Sequence, residues 1–430
     1  MKRKRRKLTI VFISILLMGM AGVSACADWE DAFGGEPVVI YSEAFDLSME
    51  PEDTMVPTVE SIAGSDVTET AGGFSTEEMS SPEISPTITI RMVGDILLHD
   101  RVSQYARQED GTYQYDVIFD GLEEEIQGAD LAIVNQEVII AGEEFGVSGY
   151  PSFNAPFALG DALADAGFDV VCHGTNHALD KRKEGLLGCL QYWESSHPQM
   201  AVLGIHETAE DQDEIYIYEQ DGIQIAVLNY TYGTNGIPLP EDMPFAVDML
   251  NKDRVVADIQ RAEMLADFTI VCPHWGTEYV LEETAEQKKW VDIFLENGVD
   301  LVLGTHPHVI EPIQMFVNEE TGKEMLVYYS LGNFVNWTSS SGEGIANRMV
   351  GGMADVTLGL DDKEEVVIMD YSVTAVVTHL ESRTNGVYTT KLSEYTQEQS
   401  LQNEITLQDP AFSKGYCEAL CDKVWGELWR

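Results

Sequence analysis

From Thr87 onward, short apolar runs rich in β-branched residues alternate with stretches whose apolar positions recur every three or four residues. A spacing of two reads as strand and one of 3.6 as helix, so the chain reads as an α/β protein whose helices are closely followed by strands. The pattern predicts strands at 87–94, 131–135, 170–172, 201–203, 215–218, 223–229, 269–272, 301–304, 326–330 and 366–378, and helices at 116–127, 158–166, 183–195, 248–267 and 284–297. The alternation covers roughly 290 residues, a length that one large domain can hold. No period of solenoid type occurs.

Before Thr87 the pattern is different. Six Lys or Arg between Lys2 and Lys7 precede an uncharged apolar stretch, Leu8 to Val23, which is the pattern of a secretory signal. The stretch ends in Val23-Ser24-Ala25-Cys26, similar to a bacterial lipobox, which makes 1–25 a lipoprotein signal peptide and Cys26 the lipid-bearing residue. The alternative is an uncleaved anchor helix, and either way the bulk of the chain lies on the extracytoplasmic face of the membrane. From Ala27 to Ile90 there is no Lys or Arg, while Asp and Glu recur among Pro, Ser, Thr and Gly. Segment 26–86 therefore reads as an acidic, disordered tether, with a reach of about 45 Å for its roughly 60 residues. Residues 87–380 read as the folded domain. Residues 381–430 read as an extension whose end, 415–429, is amphipathic and packs on that domain.

Charge narrows the choice of partners. Formal net charge is −49, and without the six signal cations 19 bases face 74 acids, giving −55. Such a surface repels nucleic acid and anionic headgroups, so an anionic substrate needs a local positive centre, which bound divalent cations supply most simply. Five Cys remain beyond Cys26, an odd number that argues against a complete disulfide framework.

Candidate chemistry gathers at predicted strand ends, where open α/β sheets build their sites. The first strand runs into Gly94-Asp95 with His99 behind it, the second into Asn135-Gln136-Glu137, and the third into His173-Gly174-Thr175-Asn176-His177. Later strands deliver His274-Trp275-Gly276 and Gly304-Thr305-His306-Pro307-His308. Carboxylates, imidazoles and an amide carbonyl form a ligand set suited to Mn²⁺, Fe or Zn²⁺. In an extended segment both imidazoles of His306-x-His308 face one cluster, whereas Pro307 favours a turn. Each residue also has a plainer reading: Asp95 as a turn or cap, Glu137 as a solvated strand end, Asn176 as a helix cap with Asp180 in its first turn, and His274 as a packed core histidine. Five coincidences at five strand ends weigh against taking all the plainer readings together.

Gly94-Asp95, Asn135-x-Glu137, Asn176-His177-x-x-Asp180, His274-Trp275-Gly276-x-Glu278, Gly304-x-His306-Pro307-His308 and Ser330-Leu331-Gly332-Asn333-Phe334 follow one another in the order of the CapA-type capsule synthesis family, which the chain resembles from about Ile88 to Thr378. That family is similar to the calcineurin-like metallophosphoesterases. The resemblance implies a four-layer αββα sandwich of two mixed sheets flanked by helices, two divalent metal ions, and a link to poly-γ-glutamate or capsule machinery. It places Asp95 and His308 on one metal, Asn176, His274 and His306 on the second, and Glu137 between them. It makes His177 the general acid, oriented by Asp180 unless that residue serves a helix N-terminus, and makes Asn135, Glu278 and Asn333 supporting residues. The chain departs from the superfamily's opening Asp-x-His, leaving His99, at a different spacing, as a substitute.

Three functions are compatible with these residues: a metal-dependent hydrolase of a phosphate ester or related bond, a capsule factor handling poly-γ-glutamate without phosphatase chemistry, and a binding module. Anchorage can be tested directly. Cys26→Ala is expected to release the protein from membranes or leave it unprocessed, as read by fractionation and gel mobility; unchanged retention with unchanged mobility contradicts the lipid anchor.

Overall fold

The computed structural model describes residues 86–381 and 386–430; Cys26, the signal segment and the tether lie outside them. Fourteen strands are described: β1 (Ile88–Ile96), β2 (Leu131–Asn135), β3 (Val170–Cys172), β4 (Ala201–Leu203), β5 (Tyr216–Gln220), β6 (Ile223–Thr231), β7 (Phe268–His274), β8 (Leu301–Leu303), β9 (Ile313–Val317), β10 (Glu324–Tyr328), β11 (Asn333–Val335), β12 (Val350–Leu360), β13 (Val366–Glu381) and β14 (Gly386–Lys391). They form two mixed sheets. The first runs β14-β13-β12-β1-β2-β3-β4, with β11 attached to β1, and the second runs β5-β6-β7-β8-β10-β9.

Side-chain alternation explains the layers. Ile270 and Cys272 of β7, Leu301 and Leu303 of β8, and Leu326 and Tyr328 of β10 join the core shared with the first sheet. Their neighbours Val271, Val302 and Val327 point the other way, onto Val255, Ile259, Val291 and Phe294 of helices Lys252–Leu265 and Ala285–Asn297. Between the sheets the Cys272 thiol meets the Met92 sulfur at 3.8 Å. Helices Phe157–Ala166 and Arg182–Ser196 pack beside the first sheet, with the Phe157 and Tyr192 rings stacked at 4.5 Å. The result is the four-layered αββα arrangement. Among the described residues no helix is long and apolar enough to cross a membrane.

Several predicted elements differ in extent, each for a local reason. The predicted helix 116–127 is instead a 3-10 turn, Asp116–Ile118, followed by a short helix, Glu123–Gln127. Gly121 intervenes because it bridges to Thr390, and a Cβ there would meet the Thr389 carbonyl at 2.5 Å. Helix 248–267 starts only at Lys252, since the Asn251 side chain accepts from the Arg254 amide at 3.2 Å and caps it. Strand β12 was hidden by Gly351, Gly352, Gly359 and Asp355, residues of poor strand propensity that its partners β1 and β13 override.

Residues 386–430 contribute to the same core. Strand β14 closes the edge of the first sheet, and the C-terminal helix, Lys414–Trp425, buries Cys417, Leu420, Cys421 and Trp425. Trp425 lies over Gly352, and its indole N–H donates to the Glu311 carbonyl at 3.0 Å, just beyond His308. All five described cysteines are buried and free. Trp425→Ala is expected to destabilise the domain by about 3–5 kcal/mol, measured by urea unfolding. A change below about 1 kcal/mol would show that the tail merely decorates the surface.

Candidate metal centre

The strand ends meet because two glycines let backbones approach where side chains would clash. At Gly94 a Cβ would stand 1.9 Å from the Gly332 carbonyl, and at Gly304 it would stand 2.1 Å from that of Tyr329. The first approach lets the Asp95 amide donate to Gly332 at 2.9 Å and aligns Asp95 with Asn333. The second seats the loop that carries His306 and His308.

Asp95, Glu137, Asn176, His177, His274, His306 and His308 are all buried and converge. Glu137, Asp95 and His308 form one compact group of donor atoms, and Glu137, His274 and His306 form a second. Glu137 is common to both. Its Oε1 faces Nε2 of His308 at 3.5 Å and Nε2 of His274 and His177 at 3.8 Å each. Asn176 Oδ1 lies 2.9 Å from His274 Nε2, which brings it into the second group, while Thr305 Oγ1 sits 3.0 Å from the other ring nitrogen. Asn135 donates to Asp95 Oδ1 at 2.8 Å. Asn333 Oδ1 lies 3.2 Å from His308 Nδ1, and its amide donates to the His308 carbonyl at 2.9 Å.

The His-x-His segment is not extended. His306 has φ 98° and His308 φ 57°, so the chain turns through Pro307 and sends the two imidazoles to different groups. Histidine enters this region more readily than most residues, and such positions are held where surrounding structure demands them.

His177 stands outside both groups. Its Nδ1 is 2.7 Å from Asp180 Oδ2, the Asp180 carboxylate also accepts from the Phe153 amide at 2.7 Å, and Phe153 packs edge-on against the ring. Asp180 precedes the helix that starts at Arg182, and Asn176 is farther from it still, so neither caps it. His99 lies beside the centre without joining either group. It packs on Phe153 and Trp337, and burial, then the charges of His308, His177 and Arg348, lower its pKa to about 4 despite Asp100. Its position at the start of a helix turns it aside. His173 points away, accepting from the Trp193 indole at 3.1 Å. Glu278 is exposed at the rim, near Tyr279 and Tyr232.

The residues fit divalent cations. Both Glu137 oxygens, Asn135 Oδ1 and His306 Nδ1 are buried without any hydrogen-bond partner, whereas buried polar atoms are nearly always paired. Burial pushes the Glu137 carboxyl well above its usual range, an effect that Asp95 adds to and His308 opposes. Burial, then the neighbouring imidazoles, hold His274 and His306 well below theirs, in the neutral form that ligates. Burial also lowers His308, but Glu137 and Asp95 outweigh it and lift the imidazole to about 9.

With this geometry in place, sequence comparison is decisive. The profile described as "Bacterial capsule synthesis protein PGA_cap" matches residues 89–338, more than half of the chain. The chain belongs to the PGA_cap family. Curated relatives of this PGA_cap chain include the Bacillus anthracis capsule biosynthesis protein CapA, 25% identical over 265 residues, covering 58% of this chain and 61% of that one. The Bacillus subtilis PGA biosynthesis protein CapA is 29% identical over 181 residues, covering 41% of this chain and 45% of that one. The chain thus spans less than two thirds of the curated relatives it matches. Similar solved structures include a phosphatase from Mycoplasma pneumoniae, TM-score 0.40 at 15% identity, covering 68% of this chain and 95% of that one. The Haemophilus influenzae NAD nucleotidase has TM-score 0.43 at 13% identity, covering 74% and 61%.

Two neighbours escaped the sequence reading. Tyr279, with φ 67°, donates its amide to the Pro307 carbonyl at 2.7 Å, and its ring centroid is 6.0 Å from that of His308. Arg348 lies across that ring, 3.4 Å from its centroid. A Tyr after Glu278 was the only local signal, while Arg348 sits 40 residues beyond His308 with no motif around it. Because His308 holds a proton up to about pH 9 in the metal-free site, cation uptake between about pH 6 and 8 is expected to release at least one proton per protein. Calorimetry in buffers of different ionisation enthalpy measures the number; uptake without release contradicts His308 as a ligand.

Proposed function

We propose that this PGA_cap domain is a hydrolase of phosphate esters or a related bond that depends on two divalent cations. We propose further that it stands outside the membrane on a lipid at Cys26 and serves capsule or poly-γ-glutamate synthesis. The observation that carries the catalytic reading is Glu137, a fully buried carboxylate with neither oxygen hydrogen-bonded, shared by two groups of candidate ligand atoms. Asp95 and His308 would hold one cation, Asn176, His274 and His306 the other, and Glu137 both. Mn²⁺, Fe or Zn²⁺ suits these donors. When bound, such ions neutralise phosphoryl oxygens and make hydroxide available near neutral pH.

The chain's own residues supply the rest. His177 presents Nε2 toward the centre and can pass a proton to a leaving oxygen, while Asp180 fixes the opposite nitrogen as an N–H donor. Phe153 packs against that ring and limits its rotation. Asn135 and Asn333 hold Asp95 and His308 in place.

A capsule factor without hydrolytic activity is the second reading. It is favoured by the buried Leu97 at the position where the superfamily's opening Asp-x-His would place its histidine, which leaves the Asp95 group with three donors. His306→Ala and His308→Ala are each expected to lower bound metal, because each removes a ligand directly. His177→Ala is expected to keep the metal and lose on the order of 10²–10⁴ in rate on an aryl phosphate. Elemental analysis and a Mn²⁺-dependent hydrolysis assay give the two readouts. Metal bound with no ester cleaved favours the capsule factor, and a folded domain that binds no metal overturns the dinuclear centre.

A further inference from the structure

Among the described arginines, Arg91, Arg101, Arg254, Arg261 and Arg430 each meet a carboxylate, and Arg107 and Arg182, which do not, are exposed to solvent. Arg348 is half-buried and forms no such pair among the described residues. Its Nε is buried without a partner, one terminal nitrogen donates to the Thr338 hydroxyl at 3.1 Å, and the guanidinium lies flat on Tyr279.

The pair is built onto the metal centre. Asn333 donates from one amide group to the carbonyls of both His308 and Arg348, at 2.9 Å each. Tyr279 is held in a left-handed backbone conformation by its bond to Pro307, between the two histidine ligands. A non-glycine residue kept there costs on the order of 1–3 kcal/mol, and such strain concentrates where a ligand is clamped. A planar guanidinium stacked on an aromatic ring keeps its edge donors free and preoriented for an oxyanion. Glu278, an exposed acid at this rim, forms no ion pair with Arg348.

We propose that Arg348, laid on Tyr279, binds an anionic oxygen group of the ligand, phosphoryl or carboxylate, beside His308. This deepens the hydrolase reading by assigning the centre an anion-recognition residue, and rests on that reading for taking the bound anion to be a substrate. It also answers the charge problem, since a chain of −49 needs a local cation wherever an anion is to enter.

The test is equilibrium binding to the Mn²⁺-loaded protein, with inorganic phosphate and glutarate as probes, comparing wild type with Arg348→Met and Arg348→Lys. Arg348→Met keeps the apolar stem over Tyr279 and is expected to weaken at least one probe on the order of 10- to 100-fold at unchanged metal content. Weakening confined to phosphate assigns a phosphoryl group, and weakening confined to glutarate a carboxylate. Should Arg348→Met fail to fold by circular dichroism, Arg348→Lys carries the test. It loses the fork but keeps the charge, and about tenfold weakening is expected. Unchanged affinity in the folded variant, or a wild type that binds neither probe, overturns the proposal. Binding that depends on Arg348 without hydrolysis of any aryl phosphate retires the hydrolase reading alone.

Discussion

A carboxylate removed from water with neither oxygen hydrogen-bonded is among the costliest groups a fold can hold, several kcal/mol even after relaxation. Glu137 is such a group, and the interior around it is arranged to answer it. His308 supplies positive charge in the metal-free state, and three imidazole nitrogens and the Asn176 carbonyl are aimed at the same volume. Bound cations would resolve the conflict in a way no hydrogen bond from the described residues does. The centre therefore marks where the fold has given up local stability for binding.

To concentrate ligands on Glu137, the two sheets must bring their strand ends nearly into contact. Glycines at 94 and 304 permit the approach, and the left-handed turns at His306 and His308 divide adjacent histidines between the two groups. None of these positions tolerates free exchange of side chains. The polar asparagines at 135 and 333 then fix Asp95 and His308 from behind, so their geometry is set by the fold itself.

Much of this was legible in the chain. Strands β2, β3 and β4 match their predicted bounds because short apolar runs end sharply at polar ligands. The convergence of Asp95, Glu137, Asn176, His274, His306 and His308 followed from their positions at strand ends. What the chain concealed depends on long-range contact. β12 is glycine-rich and gains its strand identity from β1 and β13. Arg348 and Tyr279 meet only after the fold has formed. The division of the His-x-His pair depends on backbone signs that spacing does not encode, and the bond between Asp180 and His177 had an equally good helical alternative until the helix was seen to start later.

The Trp425 indole rests beside the loop that follows the two histidines, and that loop lies more than 100 residues earlier in the chain. The helix Lys414–Trp425 thus closes the structure behind the loop that carries His306 and His308. During synthesis the histidine loop lacks this neighbour until Trp425 has been added and its helix has joined the fold.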